Sequence, residues 1–476
     1  MSETVDVSPA PRDPASAGFW PTLKEAIRGS HRDYTEGPIG RAIVLLAVPM
    51  VLELVLESVF AIVDVFWVSR LGADAVATVG MTESMLALIY AVAIGLSMGA
   101  TATVARRIGE KDPERAAFSA VQSIALGIAV ALPIGAVGAI FAPRLLGLLG
   151  ASPEVIAKGW RFTAVMLGGN VVILLIFLIN AIFRGAGDAT MAMRSLWIAN
   201  IFNLILDPCF IFGLGPFPRL GVTGAAVSTT CGRGIGVLFQ VWILSRGRGR
   251  VVIRKRHLKL EPRTMLRLLR VSGSGILQVM IGTASWIGLV RILSAFGSAA
   301  LAGYTIALRI IVFAILPSWG MSNAAATMVG QSLGARKPER AEKSVWLAAI
   351  YNMVFLGVVG ALFLLFANPL IRAFTSEPAV VAYGTTCLRY VSYGFLFYAF
   401  EMVMVQAFNG AGDTWTPTWL NLFCFWLFEI PLAWFLARRT GLGPRGVFLA
   451  IPIAFSTLAV LASLLFRRGK WKEKKV

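Results

Sequence analysis

The chain has 476 residues, 57% of them hydrophobic and 14% charged, with a mean hydropathy of +0.74. No ordinary soluble domain reaches that balance, so the chain reads as an all-α integral membrane protein. A formal net charge of +19 raises nucleic-acid binding, but the Lys and Arg residues cluster between apolar runs, as cytoplasmic loops require, and no nucleic-acid partner is needed.

Residues 1–40 are rich in Pro, Ser, Asp and Arg and lack a secretory apolar core, which makes them a cytoplasmic tail. Within them Phe19, Trp20, Leu23 and Ile27 fall near helical spacing, as in a short helix on the membrane face or a plain linker. Twelve apolar runs of about 20 residues follow. They lie near 43–68, 80–104, 118–142, 162–183, 192–213, 222–244, 267–293, 303–330, 344–366, 384–408, 416–436 and 446–466.

The first run carries three carboxylates. At 100° per residue Glu57 lies about 40° round the helix from Glu53 and Asp64 about 20°, so the acids form one stripe on an apolar rod. An ionised carboxylate facing lipid costs several kcal/mol, so the stripe faces a polar cavity or partner helices, unless the acids are protonated or solvated at an interface. In the fifth run Asn200, Asn203 and Asp207 recur at i, i+3 and i+7, one helix face, with Asp207 about as deep as Asp64. Two carboxylates and an amide offer hard oxygen ligands for Na⁺ or a place to hold a proton. The other reading is that Asn203 and Asp207 bond neighbouring helices.

Basic residues mark one side. Arg106, Arg107, Lys111 and Arg115 follow the second run, eight Lys and Arg from Arg246 to Arg263 follow the sixth, and Arg336, Lys337, Arg340 and Lys343 follow the eighth. With the basic tail 467–476 they place both termini in the cytoplasm of an inner-membrane protein. Arg438, Arg439 and Arg445 crowd an outer connection, as snorkelling interfacial residues. Cys209, Cys231, Cys387 and Cys424 are scattered singly, and His31 and His257 lie outside the runs, so metal or triad chemistry lacks material.

One offset repeats the chain on itself. Phe183-Arg184-Gly185-Ala186-Gly187-Asp188 recurs at Phe408-Asn409-Gly410-Ala411-Gly412-Asp413, 225 residues on, and the same shift relates Gly72 to Gly297, Pro113-Glu114-Arg115-Ala116 to Pro338-Glu339-Arg340-Ala341, and Gly221-Val222 to Gly446-Val447. Six runs per repeat is an even number, so two parallel six-helix bundles, 41–244 and 267–466, are related by an axis along the membrane normal and joined by the linker 245–266. The glycines of the repeated segment suit tight turns needing positive φ.

At this point the chain resembles the multidrug and toxic compound extrusion (MATE) family. The resemblance covers about residues 41–466 and rests on the twin-bundle layout, Ile62-Val63-Asp64 with Arg70-Leu71-Gly72, the two Gly-Ala-Gly-Asp turns, Val329-Gly330-Gln331-Ser332-Leu333-Gly334, Asn203-Leu204-Ile205-Leu206-Asp207-Pro208, and Leu220-Gly221-Val222-Thr223-Gly224-Ala225-Ala226. It implies export of organic, often cationic compounds by alternating access, driven by Na⁺ or H⁺, with no cofactor beyond that ion and no enzymatic step. It also implies a cation-coupling site at Asp64, Asn203 and Asp207, joined by Thr229 or Ser228. The expected partners are small organic molecules and membrane lipid, with the chain working as a monomer.

The substrate cavity is expected at Glu53, Glu57, Gln278 and Glu401. Gln278 is the repeat mate of Glu53 (278 − 53 = 225), so the second bundle lacks the acid of the first, and coupling is expected in the first; Glu401 faces the cavity or a neighbour such as Gln406. Phe60, Trp286, Tyr393 and Phe397 are candidates to stack on flat cations. A lipid-linked oligosaccharide flippase of the same wider superfamily is the alternative; its anionic head group calls for a basic cleft, against the acidic stripe. A membrane enzyme would need clustered His, Cys or Asp motifs that are missing.

Overall fold

The computed structural model describes residues 18–30, 32–247 and 249–474; residues 1–17 and 31 of the expected N-terminal tail and the last two of the basic tail lie outside them. A short helix, α1 (Phe19–Arg28), leads into α2 (Ile39–Ser69), α3 (Ala73–Gly109), α4 (Pro113–Leu148), α5 (Pro153–Gly168), α6 (Asn170–Ala186), α7 (Ala189–Phe212) and α8 (Val222–Arg246). After the linker come α9 (Pro262–Leu293), α10 (Ser298–Gly334), α11 (Pro338–Arg372), α12 (Pro378–Tyr393), α13 (Phe395–Ala411), α14 (Trp415–Asn421), α15 (Ile430–Arg438) and α16 (Pro444–Arg467). A π-helical segment, Leu422–Glu429, joins α14 to α15. Counting α5–α6, α12–α13 and α14–α15 as one span each, twelve apolar spans result.

Two large apolar cores form, one drawing on residues from Val68 to Leu268 and the other from Leu289 to Trp471, with Ile43 at the root of α2 joining the second, and a smaller third cluster packs Ala26, Tyr34 and the start of α2 against Ala189, Ala324 and Met328. The repeat is visible in the backbone. Gly72 and Gly297 take φ 98° and 97°, Lys111 and Arg336 both take φ 58°, and Gly187 and Gly412, capping α6 and α13, take φ 86° and 85°. Each pair is 225 apart, so the Gly-Ala-Gly-Asp glycines do serve left-handed turns.

The single offset fails at the end of each repeat. Gly224 packs on the Phe210 carbonyl and Gly446 on Leu436, and the Gly221 and Gly443 turns share φ 57°, ψ −135° and φ 55°, ψ −136°. The offsets are therefore 226 in the fifth span (436 − 210) and 222 in the sixth (446 − 224, 443 − 221), which replaces the Gly221-to-Gly446 pairing. A π turn inserts one residue into an α-helix, which supplies the extra residue, and the following loop is shorter by four.

The lobes meet at the end bearing the basic loops, through reciprocal contacts. A Cβ on Gly109 would lie 2.0 Å from the Gln331 carbonyl oxygen and one on Gly334 2.1 Å from that of Arg106, while Gly95 abuts Ile276 and Gly320 abuts Val51. All four pairs obey the 225 offset, as a pseudo-twofold interface requires. Thr327 and Gln331 add hydrogen bonds to the backbone oxygens of Arg184 (3.1 Å) and Gly185 (2.9 Å). Gly334→Val should prevent this seam from closing. Pulsed spin-label distances between positions 110 and 335 should lengthen; an unchanged distance would show that the backbone gives way.

α1 does not lie apart on the membrane face. Thr190 donates to the Ala26 oxygen (3.0 Å) and Arg194 to that of Arg28 (2.8 Å), and the chain then crosses to the other lobe. There Arg340 donates to the backbone oxygens of Tyr34, Glu36 and Gly37 at 2.8–3.1 Å and Lys337 to that of Thr35 at 3.1 Å. The linker is likewise held: His257 meets Glu114 at 2.7 Å, Arg256 bonds the same carboxylate, and Gln122 contacts the backbone of Lys259 and Glu261. Hydrogen bonding from His257 holds the Glu114 carboxyl below its ordinary range.

α10 and α16 run through Pro317 and Pro452, whereas the 56° bend falls between α12 and α13 at Gly394, which packs on Pro452. The outer arginines have partners: Arg438 sits 5.5 Å over the Phe296 ring and Arg439 5.9 Å over that of Trp434.

Candidate functional site

The stripe on α2 faces inward to α6, α7 and α8, and each acid meets a different environment. Nearest the basic end, Glu53 is buried, its Oε1 accepting from Arg184 (2.9 Å) and Asn180 (3.0 Å), with Gln240 bonding Asn180 in turn at 2.7 Å. One turn on, Glu57 accepts from Asn200 (3.1 Å) and pairs with Arg233 at 3.5 Å; Arg233 also donates to the Tyr90 hydroxyl at 3.1 Å. Two of the three acids are thus neutralised by arginines. This corrects the picture of a bare acidic wall.

Asp64 is different. Among the described residues no basic side chain pairs with it, and its Oδ1 is buried without a hydrogen-bond partner, as are Oδ2 of Asp207 and, behind the Arg184 pair, Oε2 of Glu53. The two carboxylates lie close enough for their charges to interact. Asn203 stands among them, donating to Asp207 (3.1 Å), Ser228 (3.3 Å) and Thr229 (3.3 Å), and Ser228 donates to Asp207. Both hydroxyls therefore join the cluster, where either one was expected. The i, i+4 spacing of Asn203 and Asp207 puts them on one face, and the cluster closes because α8 starts only ten residues after α7 ends.

A cavity of about 240 Å³ adjoins the cluster, lined by Glu57, Asp64, Glu83, Asn203, Thr229 and Arg233 among others. A second, of about 250 Å³, lies between the lobes; Glu57, Tyr90 and Arg184 face Trp319, Asn323 and Gln406 across it. Glu57 and Tyr90 line both and connect them. Phe60 lines the first. Gln278 and Glu401 are buried but line neither, and Trp286, Tyr393 and Phe397 also stand elsewhere.

Two unsatisfied carboxylate oxygens beside an amide and two hydroxyls are oxygen donors that could hold one positive charge. Uncompensated, they would leave buried charge at a cost of several kcal/mol. A model of the MatE family matches residues 49–209 and again 273–435. The chain belongs to the MatE family. The two matches end 226 residues apart (435 − 209), the offset of the fifth span. Among similar MATE proteins is the probable multidrug resistance protein NorM of Thermotoga maritima, 27% identical over 444 residues, covering 92% of this chain and 94% of that one. The fold is similar to a MATE structure in the bent conformation (TM-score 0.85, 27% identity, 94% of this chain and 97% of that one) and to an outward-facing multidrug resistance MATE transporter of the MOP superfamily (TM-score 0.85, 28% identity, 95% of this chain and 98% of that one). This MATE protein is accordingly a multi-pass inner-membrane efflux transporter and no enzyme.

The stripe and the Asn203–Asp207 pair were legible beforehand; Arg184 and Arg233 as their counter-ions were not. Arginine at 233 inside an apolar run was the available signal.

Proposed function

We propose that this MATE transporter exports lipophilic organic compounds, cations among them, by alternating access, in exchange for inward Na⁺ or H⁺ bound between Asp64 and Asp207. The observation that carries the proposal is the pair of buried, unpartnered oxygens on those two residues. Asn203, Ser228 and Thr229 hold Asp207 in place, and the charge arriving there alters the attraction between α2 and α7. With both termini cytoplasmic, lobes joined at the basic end make the present arrangement outward-facing. Substrate would lie between the lobes against Glu57, whose long pair with Arg233 an incoming cation can displace. We infer a monomer, since each lobe completes its own core.

The flippase reading is not favoured: the arginines of the cleft are already committed to Glu53 and Glu57, leaving none for a pyrophosphate. The test is efflux of a fluorescent lipophilic cation from proteoliposomes under an imposed Na⁺ gradient and then a proton gradient. Export driven by one gradient and not the other identifies the coupling ion. Export indifferent to both would overturn the proposal.

A further inference from the structure

The second lobe contains an image of the first lobe's coupling cavity. Leu289, Leu308, Glu429 and Ile451 line it. Under the offsets 225, 225, 226 and 222 they hold the places of Asp64, Glu83, Asn203 and Thr229, which line the first. Three of the four polar positions have become apolar. The fourth has gone the other way, from an amide to a carboxyl.

Glu429 is 2% exposed and lines a space of about 30 Å³, room for a water molecule or two. It makes no hydrogen bond or ion pair among the described residues. No basic side chain lines the cavity. The titratable groups that line it beside Glu429 are Tyr304 of α10 and Tyr398 of α13, while α9 and α16 contribute Trp286, Leu289, Ile451 and Phe455; behind them, within electrostatic range, stand Cys387 of α12, Glu401 of α13 and Cys424 of the π segment. One carboxylate among apolar walls does not supply the oxygen shell a metal cation needs. A bare charge there would cost several kcal/mol.

We propose that the Glu429 cavity is a second proton-binding site, set in the lobe opposite the Asp64–Asp207 cluster. Gly394, the bend between α12 and α13, lines the same cavity against Pro452. Straightening or deepening that bend changes the access of water to Glu429, so the proton is held while the cavity is dry and released when it is wetted. The site stands on the eleventh span and is independent of which ion the first lobe uses.

The test is pH-difference infrared spectroscopy of the full-length protein in lipid, following the carbonyl stretch of protonated carboxyls in wild type, Glu429→Gln and Asp64→Asn. One titrating band is expected to vanish in Glu429→Gln and to persist in Asp64→Asn at its full amplitude. Glu429→Asp, which keeps the acid, should shift that band in frequency and covers the case in which Glu429→Gln does not fold. A titrating spectrum identical to wild type in Glu429→Gln, or in Glu429→Asp where that variant decides, overturns the proposal. A band lost in Asp64→Asn alone would count for the first lobe and against the second.

Discussion

Asp64→Asn is expected to cut gradient-driven export at least about tenfold, equivalent to about 1.4 kcal/mol of lost coupling, while the protein stays folded. Asn matches Asp in shape, so packing on α2 is kept. What disappears is the ability of position 64 to alternate between a charged and a compensated state beside Asp207, and with it the differential affinity through which an ion can bias two arrangements of the lobes. Size-exclusion behaviour and proteoliposome efflux check the two halves of the expectation. A monodisperse variant that exports at the wild-type rate would remove Asp64 from the mechanism.

Arg184→Asn should destabilise the first lobe by about 3–5 kcal/mol, because it strands the Glu53 charge in the interior. Both side chains are largely buried, at 15% and 4% exposure, and only the amide of Asn180 would remain to satisfy Glu53. The second lobe shows the remedy. There the same two positions are Gln278 and Asn409 (278 − 53 = 409 − 184 = 225), so acid and base have been exchanged together for amides. Glu53→Gln with Arg184→Asn should therefore recover most of the thermal midpoint lost in the single variant, a non-additive result expected of a contacting pair. A double variant no more stable than Arg184→Asn would mean that Arg184 matters for another reason.

How much of this was legible in the residues depended on the range of the pattern. Periodicity within one helix placed Glu53, Glu57 and Asp64 on one face and Asn203 with Asp207 on another, since those relations are fixed by 3.6 residues per turn. The repeat exposed the two-lobe plan because Gly and Asp recur wherever a turn needs them. What stayed hidden lay between helices. That Arg184 reaches Glu53, or Arg233 Glu57, depends on how α6 and α8 pack against α2. The π segment was equally silent: Leu422–Glu429 looks like any apolar helix, and only the partners of Gly224 and Gly446 reveal the added residue. Without that correction Glu429 falls opposite Leu204 and not Asn203, and its relation to the first lobe's cavity is lost. Gln278 and Glu401 were assigned to the cleft on polarity, which does not fix direction.

The segment that crosses beneath the two lobes is held at its peptide carbonyls, which accept from Arg340, Lys337 and Arg250, and at Tyr34 and Thr35, whose side chains are buried. The carbonyl grip reads shape, while Tyr34 is read by its side chain, packed in an apolar cluster with the Arg250 guanidinium 4.8 Å over its ring. Exposed positions such as Arg32 and Glu36 are thus free to drift in evolution so long as the chain can still follow the path, while Tyr34 and Arg340 are not. An alanine scan along the segment would single out Tyr34; the same scan on the lobes would find the clasp.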